Sequence, residues 1–174
     1  MKKWISYGMF MLGIVLCLYS PFCNLIEKYV RESDVQEYAD SIGSITIAGI
    51  DVELPIFDGT DEEVLSQGIG HIAGSSPLGG GENTHSILAG HRGLPNAAML
   101  LRLNELEEGD VFILYVSEQK LLYEVCEIQV IRPEETENLR VQEGKDLVSL
   151  VTCTPYGINT HRLVVTGERK VCDE

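Results

Sequence analysis

Short runs of β-branched and aliphatic residues, separated by glycine, proline and polar turn formers, dominate the chain from Ser44 onward. Runs of this kind are typical of β-strands. The candidates, in chain order, are Ile45–Phe57, interrupted at Gly49 and Pro55, then Val111–Val116, Leu121–Ile131, Leu147–Thr152 and Leu163–Thr166. Because many short strands with turns between them favour a closed barrel or a sandwich, we predict a mainly β fold.

Two segments allow more local predictions. Ser117–Lys120 lies between two strand candidates and predicts the turn of a hairpin. Asn96–Leu106 has the composition of a helix, and Asn96 is a suitable N-cap for it. We therefore expect one clear helix within the β-rich part of the chain.

The N-terminus has the features of a membrane anchor. Trp4–Phe22 contains no charged residue and approaches the roughly 20 apolar residues that a membrane helix needs. It ends in a poor cleavage site, which favours an uncleaved anchor over a cleaved signal peptide. Lys2 and Lys3 keep the N-terminus cytoplasmic, so the rest of the chain is expected outside the cytoplasm.

These features divide the chain into three parts. Residues 1–23 form a cytoplasmic tip and transmembrane anchor, 24–43 a juxtamembrane helix or linker, and 44–174 the globular domain. The formal charge is −14, from 13 basic and 27 acidic residues. An acidic chain repels phosphate backbones, so nucleic acid is not an expected partner.

The cysteines outside the anchor limit which roles a thiol can have in this protein. Cys126, Cys153 and Cys172 are an odd number for an oxidising compartment, so at least one thiol is expected to be free. No C-x-x-C pair exists, which leaves a zinc site unsupported. Cys126 alternates with apolar residues and is expected in the core, although a bridge from Cys126 to Cys172 stays open.

Cys153 is the strongest candidate for a nucleophile. It ends an apolar strand and opens a turn-rich loop, where a side chain is held rigidly yet faces solvent. His91, flanked by Gly90 and Gly93, is a candidate acid/base partner. Arg162 begins the next strand, and a cation there stabilises a thiolate and a tetrahedral oxyanion. The alternative for each of the three residues is a purely structural role.

Three motifs resemble one known family. Leu150–Tyr156 (LVTCTPY) is similar to the sortase segment around the catalytic cysteine. Ser86–Gly93 (SILAGHRG) resembles the segment with the sortase histidine, and Asn159–Val165 (NTHRLVV) the one with the arginine. Gly68–His71 and Leu78–Gly80 match the approach to that histidine. The resemblance covers about Ser44 to Arg169, nearly the whole predicted domain.

The resemblance implies an eight-stranded sortase-type β-barrel with short helices. It implies a cysteine transpeptidase in which Cys153 attacks an LPxTG-like sorting signal, His91 transfers protons and Arg162 stabilises the oxyanion. Thr152 and Thr154 would line the substrate groove. No metal or cofactor is required. The enzyme would work on the outer face of a Gram-positive cell membrane, anchored by a single N-terminal helix.

The amine that resolves the thioacyl enzyme depends on the sortase class. His91–Pro95 and Cys153–Gly157 look most like class C, the pilin polymerases, in which the acceptor is a pilin lysine. The chain contains no Asp-Pro pair of the kind found in class C lids and no C-terminal apolar run, so we expect an open site anchored only at the N-terminus.

Three other functions remain in view. One is a housekeeping-type sortase that attaches surface proteins to the peptidoglycan cross-bridge. Another is a hydrolytic cysteine protease of the same architecture. The last is a non-catalytic surface binding module with a structural Cys153.

Overall fold

Eight β-strands close into a barrel in the computed structural model, which describes residues 40–93 and 99–170. Around the barrel the order is β1-β2-β3-β4-β7-β8-β6-β5, and β5 pairs with β1 to complete the closure. The predicted eight-stranded barrel is thereby confirmed. The strands are β1 (Gly43–Ile47), β2 (Val52–Asp58), β3 (Ile69–His71), β4 (Thr84–Ala89), β5 (Val111–Val116), β6 (Gln119–Ile131), β7 (Asp146–Thr154) and β8 (His161–Arg169).

The candidate Ile45–Phe57 was expected to be interrupted at Gly49 and Pro55, and only the first interruption is observed. Gly49 lies in a short 3₁₀ helix, Ala48–Ile50, between β1 and β2, as expected. Pro55, in contrast, lies inside β2. A proline is tolerated there because the ladder between β2 and β3 begins only at Ile56, beyond the missing N–H group.

Helices are few and short in the described residues. Helix α1 (Glu62–Gln67) begins at the N-cap Asp61, whose carboxylate accepts a 3.0 Å hydrogen bond from the Val64 N–H group. The predicted helix Asn96–Leu106 is wrong where the structure describes it, since Leu103–Glu105 is a single 3₁₀ turn. Met99 has a φ of 42°, a left-handed conformation that an α-helix cannot continue through. Asn96 lies outside the described residues.

The barrel interior holds the main hydrophobic core. Alternate residues of each strand point inward, and the stacked rings of Phe112 and Tyr123 lie 5.6 Å apart at one end. On β7 the inward side chains include Val148 and Leu150. Val151 points the other way and packs in a second cluster on the outer surface, with Ile131, Val164, Ile87 and Leu139.

A β-bulge in β6 corrects the expectation for Cys126. The pairing of β6 with β8 shifts register between Val125 and Glu127, which leaves Cys126 as the additional residue. Alternation counted back from Ile128 places Cys126 on the inner face, whereas alternation counted forward from the core residue Val125 places it outward. The bulge separates these two registers and Cys126 is exposed, so its predicted core position is wrong. Cys172 lies outside the described residues, and the bridge between the two stays a prediction.

Close backbone packing explains the glycines before and within β3. A Cβ atom on Gly70 would collide with the carbonyl oxygen of Gly59, and one on Gly68 would lie 2.5 Å from that of Pro55. Only glycine allows β3 to lie this near to β2 and the turn that follows it. These motif residues therefore position β3 and, through it, β4.

The predicted anchor, residues 1–23, and most of the predicted juxtamembrane segment, 24–43, lie outside the described residues. Within 40–93 and 99–170, no helix combines the length and the apolar character that crossing a bilayer requires.

Candidate active site

The antiparallel pairing of β7 and β8 places two of the three candidate residues opposite each other. Cys153 is the direct register partner of Arg162. Residues opposite each other in an antiparallel pair project to the same face with their Cβ atoms about 5 Å apart. The thiol and the guanidinium therefore start from neighbouring positions on one face of the barrel.

The parallel pairing of β4 and β7 brings His91 to the other side of Cys153. The ladder runs as far as Ala89 opposite Val151, and the Gly90 N–H group donates a 3.0 Å hydrogen bond to the Val151 carbonyl. Two residues further along each chain are His91 and Cys153. Because neighbouring strands lie about 4.8 Å apart, the backbone of His91 is placed beside that of Cys153.

All three candidates belong to the outer face of the barrel. Residues two apart on a strand share a face. Val151 and Val164 belong to the outer apolar cluster, so Cys153 and Arg162, each two residues away, face outward as well. Ile87 belongs to the same cluster and has the same parity as His91. The apolar cluster thus lies directly beside the candidate catalytic groups.

The two described cysteines differ in their surroundings. Cys153 is half-buried at the end of β7. Cys126 is exposed, but its sulfur lies 3.4 Å from the Thr166 carbonyl. Local desolvation raises the pKa of the Cys126 thiol, and the Glu168 carboxylate raises it further. Cys126 is therefore poorly suited to act as a thiolate nucleophile.

Backbone carbonyls fix the head group of Arg162. Its Nη1 donates hydrogen bonds to the carbonyl oxygens of Asn159, at 3.2 Å, and of His161, at 3.0 Å. Asn159 belongs to the loop between β7 and β8, and His161 is the first residue of β8. The remaining N–H groups of the guanidinium leave donors available for an oxyanion beside the thiol.

The two threonines that flank Cys153 differ in burial and in hydrogen-bond partners. Thr152 is 2% exposed, and its hydroxyl donates a 2.8 Å hydrogen bond to the Gly90 carbonyl. This hydrogen bond ties the segment before His91 to β7, and the expected lining of a substrate groove stays a prediction. Thr154 is half-buried, and its hydroxyl accepts a 2.7 Å hydrogen bond from Arg92 Nη1.

Arg92 is a site residue that sequence reasoning missed. Its guanidinium bridges Thr154 at the end of β7 and the side-chain oxygen of Asn104. The Arg92 side chain thus joins the segment that contains His91 to β7 and to the 3₁₀ turn Leu103–Glu105. Its place directly after His91 was the available signal, but no pattern indicated which partners it would find.

Two of the other three histidines, His71 and His85, have structural partners. His85 is 1% exposed and lies between the Arg140 carbonyl, 3.0 Å from Nδ1, and the Ser149 hydroxyl, 2.7 Å from Nε2. His71 Nε2 lies 2.9 Å from the Ser76 carbonyl, which an N–H group on that nitrogen satisfies. Both arrangements are those of histidines held by neighbouring loops and, for His85, also by β7.

Comparison with known proteins assigns the family. The family model described as Sortase domain matches residues 45–170. The chain belongs to the sortase family. Sortases are cysteine transpeptidases, so the match also gives the reaction class of this protein, and it agrees with the resemblance carried by the three motifs.

Individual sortases resemble the chain to different extents. Sortase C-1 from Actinomyces oris is 51% identical, with a TM-score of 0.75 over 76% of this chain and 74% of its own. Streptococcus pneumoniae sortase C is 43% identical, with a TM-score of 0.75 over 76% and 70% of the two chains. Sortase D of Bacillus subtilis is 32% identical over 136 residues, which are 76% of this chain and 66% of the relative.

Proposed function

We propose that this sortase cleaves an LPxTG-like sorting signal between Thr and Gly and joins the Thr carbonyl to the lysine amine of a pilin subunit. The alignment of Cys153 between His91 and Arg162 on one outer face is the observation that supports the chemistry. The likeness to sortase C structures supports the pilin acceptor.

The first half of the proposed reaction forms a thioacyl enzyme. The Cys153 thiolate attacks the Thr carbonyl, and the resulting oxyanion receives hydrogen bonds from Arg162. The C–N bond then breaks, and protonated His91 gives its proton to the departing Gly amine. The acyl group remains on sulfur, and no redox partner is involved.

The second half regenerates the thiolate. The incoming amine attacks the thioester while neutral His91 accepts its proton, and the collapse of the tetrahedral intermediate releases the thiolate. The products are a new amide bond and an enzyme with His91 protonated. The enzyme is thus ready for the next sorting signal.

The outer apolar cluster supports an apolar peptide substrate. Ile131, Val151 and Val164 are each under 10% exposed, and they lie next to the thiol with Leu139 at their edge. The aliphatic and proline residues that precede Thr in an LPxTG-like signal would shield such a surface from water. The proposed position of the apolar half of the peptide is therefore along β7 and β8.

A competition between acceptors tests the proposed function. The enzyme is incubated with a fluorogenic LPxTG-type peptide and equal concentrations of a pilin lysine peptide and a peptidoglycan cross-bridge amine. We expect the pilin amide to dominate. Preference for the cross-bridge amine would favour a housekeeping-type sortase, and hydrolysis alone would favour a protease.

Single substitutions identify the residues that perform the chemistry. Cys153→Ala should abolish cleavage, and His91→Ala and Arg162→Ala should each reduce it by about 10²-fold or more. Cys126→Ala is the matched control, because the exposed Cys126 lies outside the candidate site. Full activity in Cys153→Ala would exclude the proposed mechanism.

We also propose that the apolar run near the N-terminus anchors the enzyme, with the barrel on the extracellular face. The support is the uncharged Trp4–Phe22 run after two lysines. A membrane-impermeant thiol reagent applied to intact cells should label the protein, and Cys153→Ala should lower the labelling. Labelling only after lysis would contradict this topology.

A further inference from the structure

A carboxylate from α1 lies against the imidazole of His91. Glu62 Oε1 is 3.6 Å from His91 Nε2, a distance longer than a hydrogen bond. The Nε2 atom is buried and has no hydrogen-bond partner among the described residues. Buried polar atoms without a partner are rare and require an explanation. Glu62 is the acidic group within 4 Å of this nitrogen among the described residues.

The Glu62 side chain has the freedom to close this distance. It is 87% exposed, whereas the His91 side chain is 29% exposed. Glu62 is the first residue of α1, and the helix leads directly into β3, which pairs with β4 before His91. The fold therefore keeps the helix start near His91, and a rotamer change of an unrestrained carboxylate converts a 3.6 Å approach into a hydrogen bond.

We propose that Glu62 is a positioning residue for His91. Its carboxylate accepts a hydrogen bond from the Nε2–H group, which fixes the ring orientation and leaves Nδ1 as the nitrogen that exchanges protons with the thiol and the substrate amine. This inference rests on the acid/base role given to His91 in the proposed function. It assigns to α1 a part in the reaction that the three-residue site does not include.

The charges around His91 agree with this role. Arg92 follows it in the chain, and Arg162 faces the same site from β8, so two cationic side chains belong to the surroundings of His91. Cys153 at the end of β7 contributes a negative charge only as a thiolate. Glu62 places a carboxylate 3.6 Å from the ring, where it complements these two cations.

Glu63 offers a matched control on the same helical turn. It is also exposed and acidic, and its backbone carbonyl accepts hydrogen bonds from Ser66 Oγ, at 2.7 Å, and Gln67 Nε2, at 3.2 Å. Within the described residues its carboxylate has no ion-pair partner. Glu62→Ala and Glu63→Ala thus remove the same charge from the same turn, but only the first removes the contact with His91.

The test reads the ring directly by ¹⁵N NMR of the histidine side chains in full-length protein that contains Cys153→Ala. The His91 signal is assigned by its loss in His91→Gln. We expect the neutral ring to have its proton on Nε2, and Glu62→Ala to shift it towards a mixture of both tautomers. Glu63→Ala should leave the spectrum unchanged, and Glu62→Gln, which retains an acceptor oxygen, should keep most of the preference.

Activity with Cys153 present supplies the second readout. Glu62→Ala should lower kcat about three- to tenfold, because an exposed charge contributes modestly, while KM for the sorting peptide stays the same. Identical tautomer populations in Glu62→Ala and Glu63→Ala would overturn the inference. That result would leave the proposed function intact, whereas full activity of His91→Ala would remove the proposed function itself.

Discussion

At the scale of single residues, Thr152 shows how the site is tied to the barrel. Its hydroxyl reaches from the strand with Cys153 to the Gly90 carbonyl, one residue before His91. A Cβ atom on Gly90 would lie 2.9 Å from Leu100 Cδ1, so the chain has little room to shift at this point. The segment with the histidine is therefore held by a hydrogen bond on one side and by packing on the other.

Thr152→Val should distinguish the contribution of this hydrogen bond from that of the side-chain volume. Valine fills a similar volume but leaves the buried Gly90 carbonyl without its donor, which should lower the free energy of unfolding by about 1–3 kcal/mol. Because His91 loses its tether, kcat should fall as well. Thr152→Ser keeps the hydroxyl and should retain most of both quantities. Urea unfolding and steady-state kinetics measure them, and equal behaviour of the two variants would contradict the tether.

Tyr123 provides a prediction about alkaline pH. Burial raises the pKa of its phenol, and the Asp146 carboxylate, which accepts a 3.0 Å hydrogen bond from the hydroxyl, raises it further. A raised pKa in the folded state means that this group's contribution to stability is complete below about pH 10 and is lost above it. Stability of the native protein should therefore decline above this pH.

Tyr123→Phe removes both the hydrogen bond and the titration. The variant should be about 1 kcal/mol less stable at pH 8, where the phenol is neutral in both states. Above pH 10 the difference in free energy of unfolding between the two proteins should shrink, because only the unsubstituted protein loses stability through the ionisation of Tyr123. Urea unfolding at a series of pH values tests this, and parallel curves up to pH 11 would refute it.

Residue-level prediction from sequence depended on the presence of a motif. Cys153, His91 and Arg162 could be named as candidates from their motifs, and the register brings their backbones together, while their catalytic roles stay predictions. The contacts of Arg92 and Glu62 were missed, because each depends on which element folds over the His91 segment. Sequence spacing does not contain that information.

At the scale of elements, the β5–β6 hairpin was predicted at the right place with too long a turn. The strands are joined by only Ser117 and Glu118, which have φ values of 47° and 69°. Two positive φ values are what a type I′ turn requires, and Asn-Gly is its usual sequence. Because neither residue favours this conformation, the sequence did not reveal the two-residue turn.

Glu118→Gly should stabilise this hairpin. Glycine adopts positive φ without the steric cost that glutamate has, so the free energy of unfolding should rise by about 0.5–1 kcal/mol. Glu134→Gly is a matched control at an exposed turn position where φ is not positive, and it should be neutral or destabilising. Thermal or urea unfolding compares the two, and equal effects would refute the role of backbone strain.

Two elements show why other local predictions were wrong. The helical composition of the segment after Asn96 did not produce an α-helix in its described part, because Met99 is left-handed and buried side chains such as Leu100 and Leu103 anchor the turn in the core. The bulge at Cys126 reverses the alternation of β6 at one residue. Tertiary packing overrode local propensity in the first case and strand periodicity in the second.

At the scale of the whole molecule, barrel closure was not derivable from the strand pattern alone. That pattern left a barrel and a sandwich open, and the choice came from the family resemblance. The decisive pairings, β1 with β5 and β4 with β7, join strands that are distant in the chain. Such long-range pairings are invisible to arguments from hydrophobic periodicity.

The acidic character of the molecule predicts an effect of salt. With a formal charge of −14, the protein should attract a positively charged lysine acceptor. Raising ionic strength from about 0.05 to 1 M should therefore lower kcat/KM for a lysine peptide several-fold. Hydroxylamine, an uncharged acceptor near neutral pH, is the control and should show little change. Equal salt dependence of both acceptors would exclude steering by charge.

The most direct test of the central claim is intact-mass spectrometry of the enzyme during turnover of an LPxTG-type peptide. The account predicts an adduct equal to the peptide up to its Thr carbonyl, located on Cys153, that disappears when an amine is added and appears as an amide product. Cys153→Ala should form no adduct. Turnover without a thioester on Cys153, or an adduct on Cys126 instead, would contradict it.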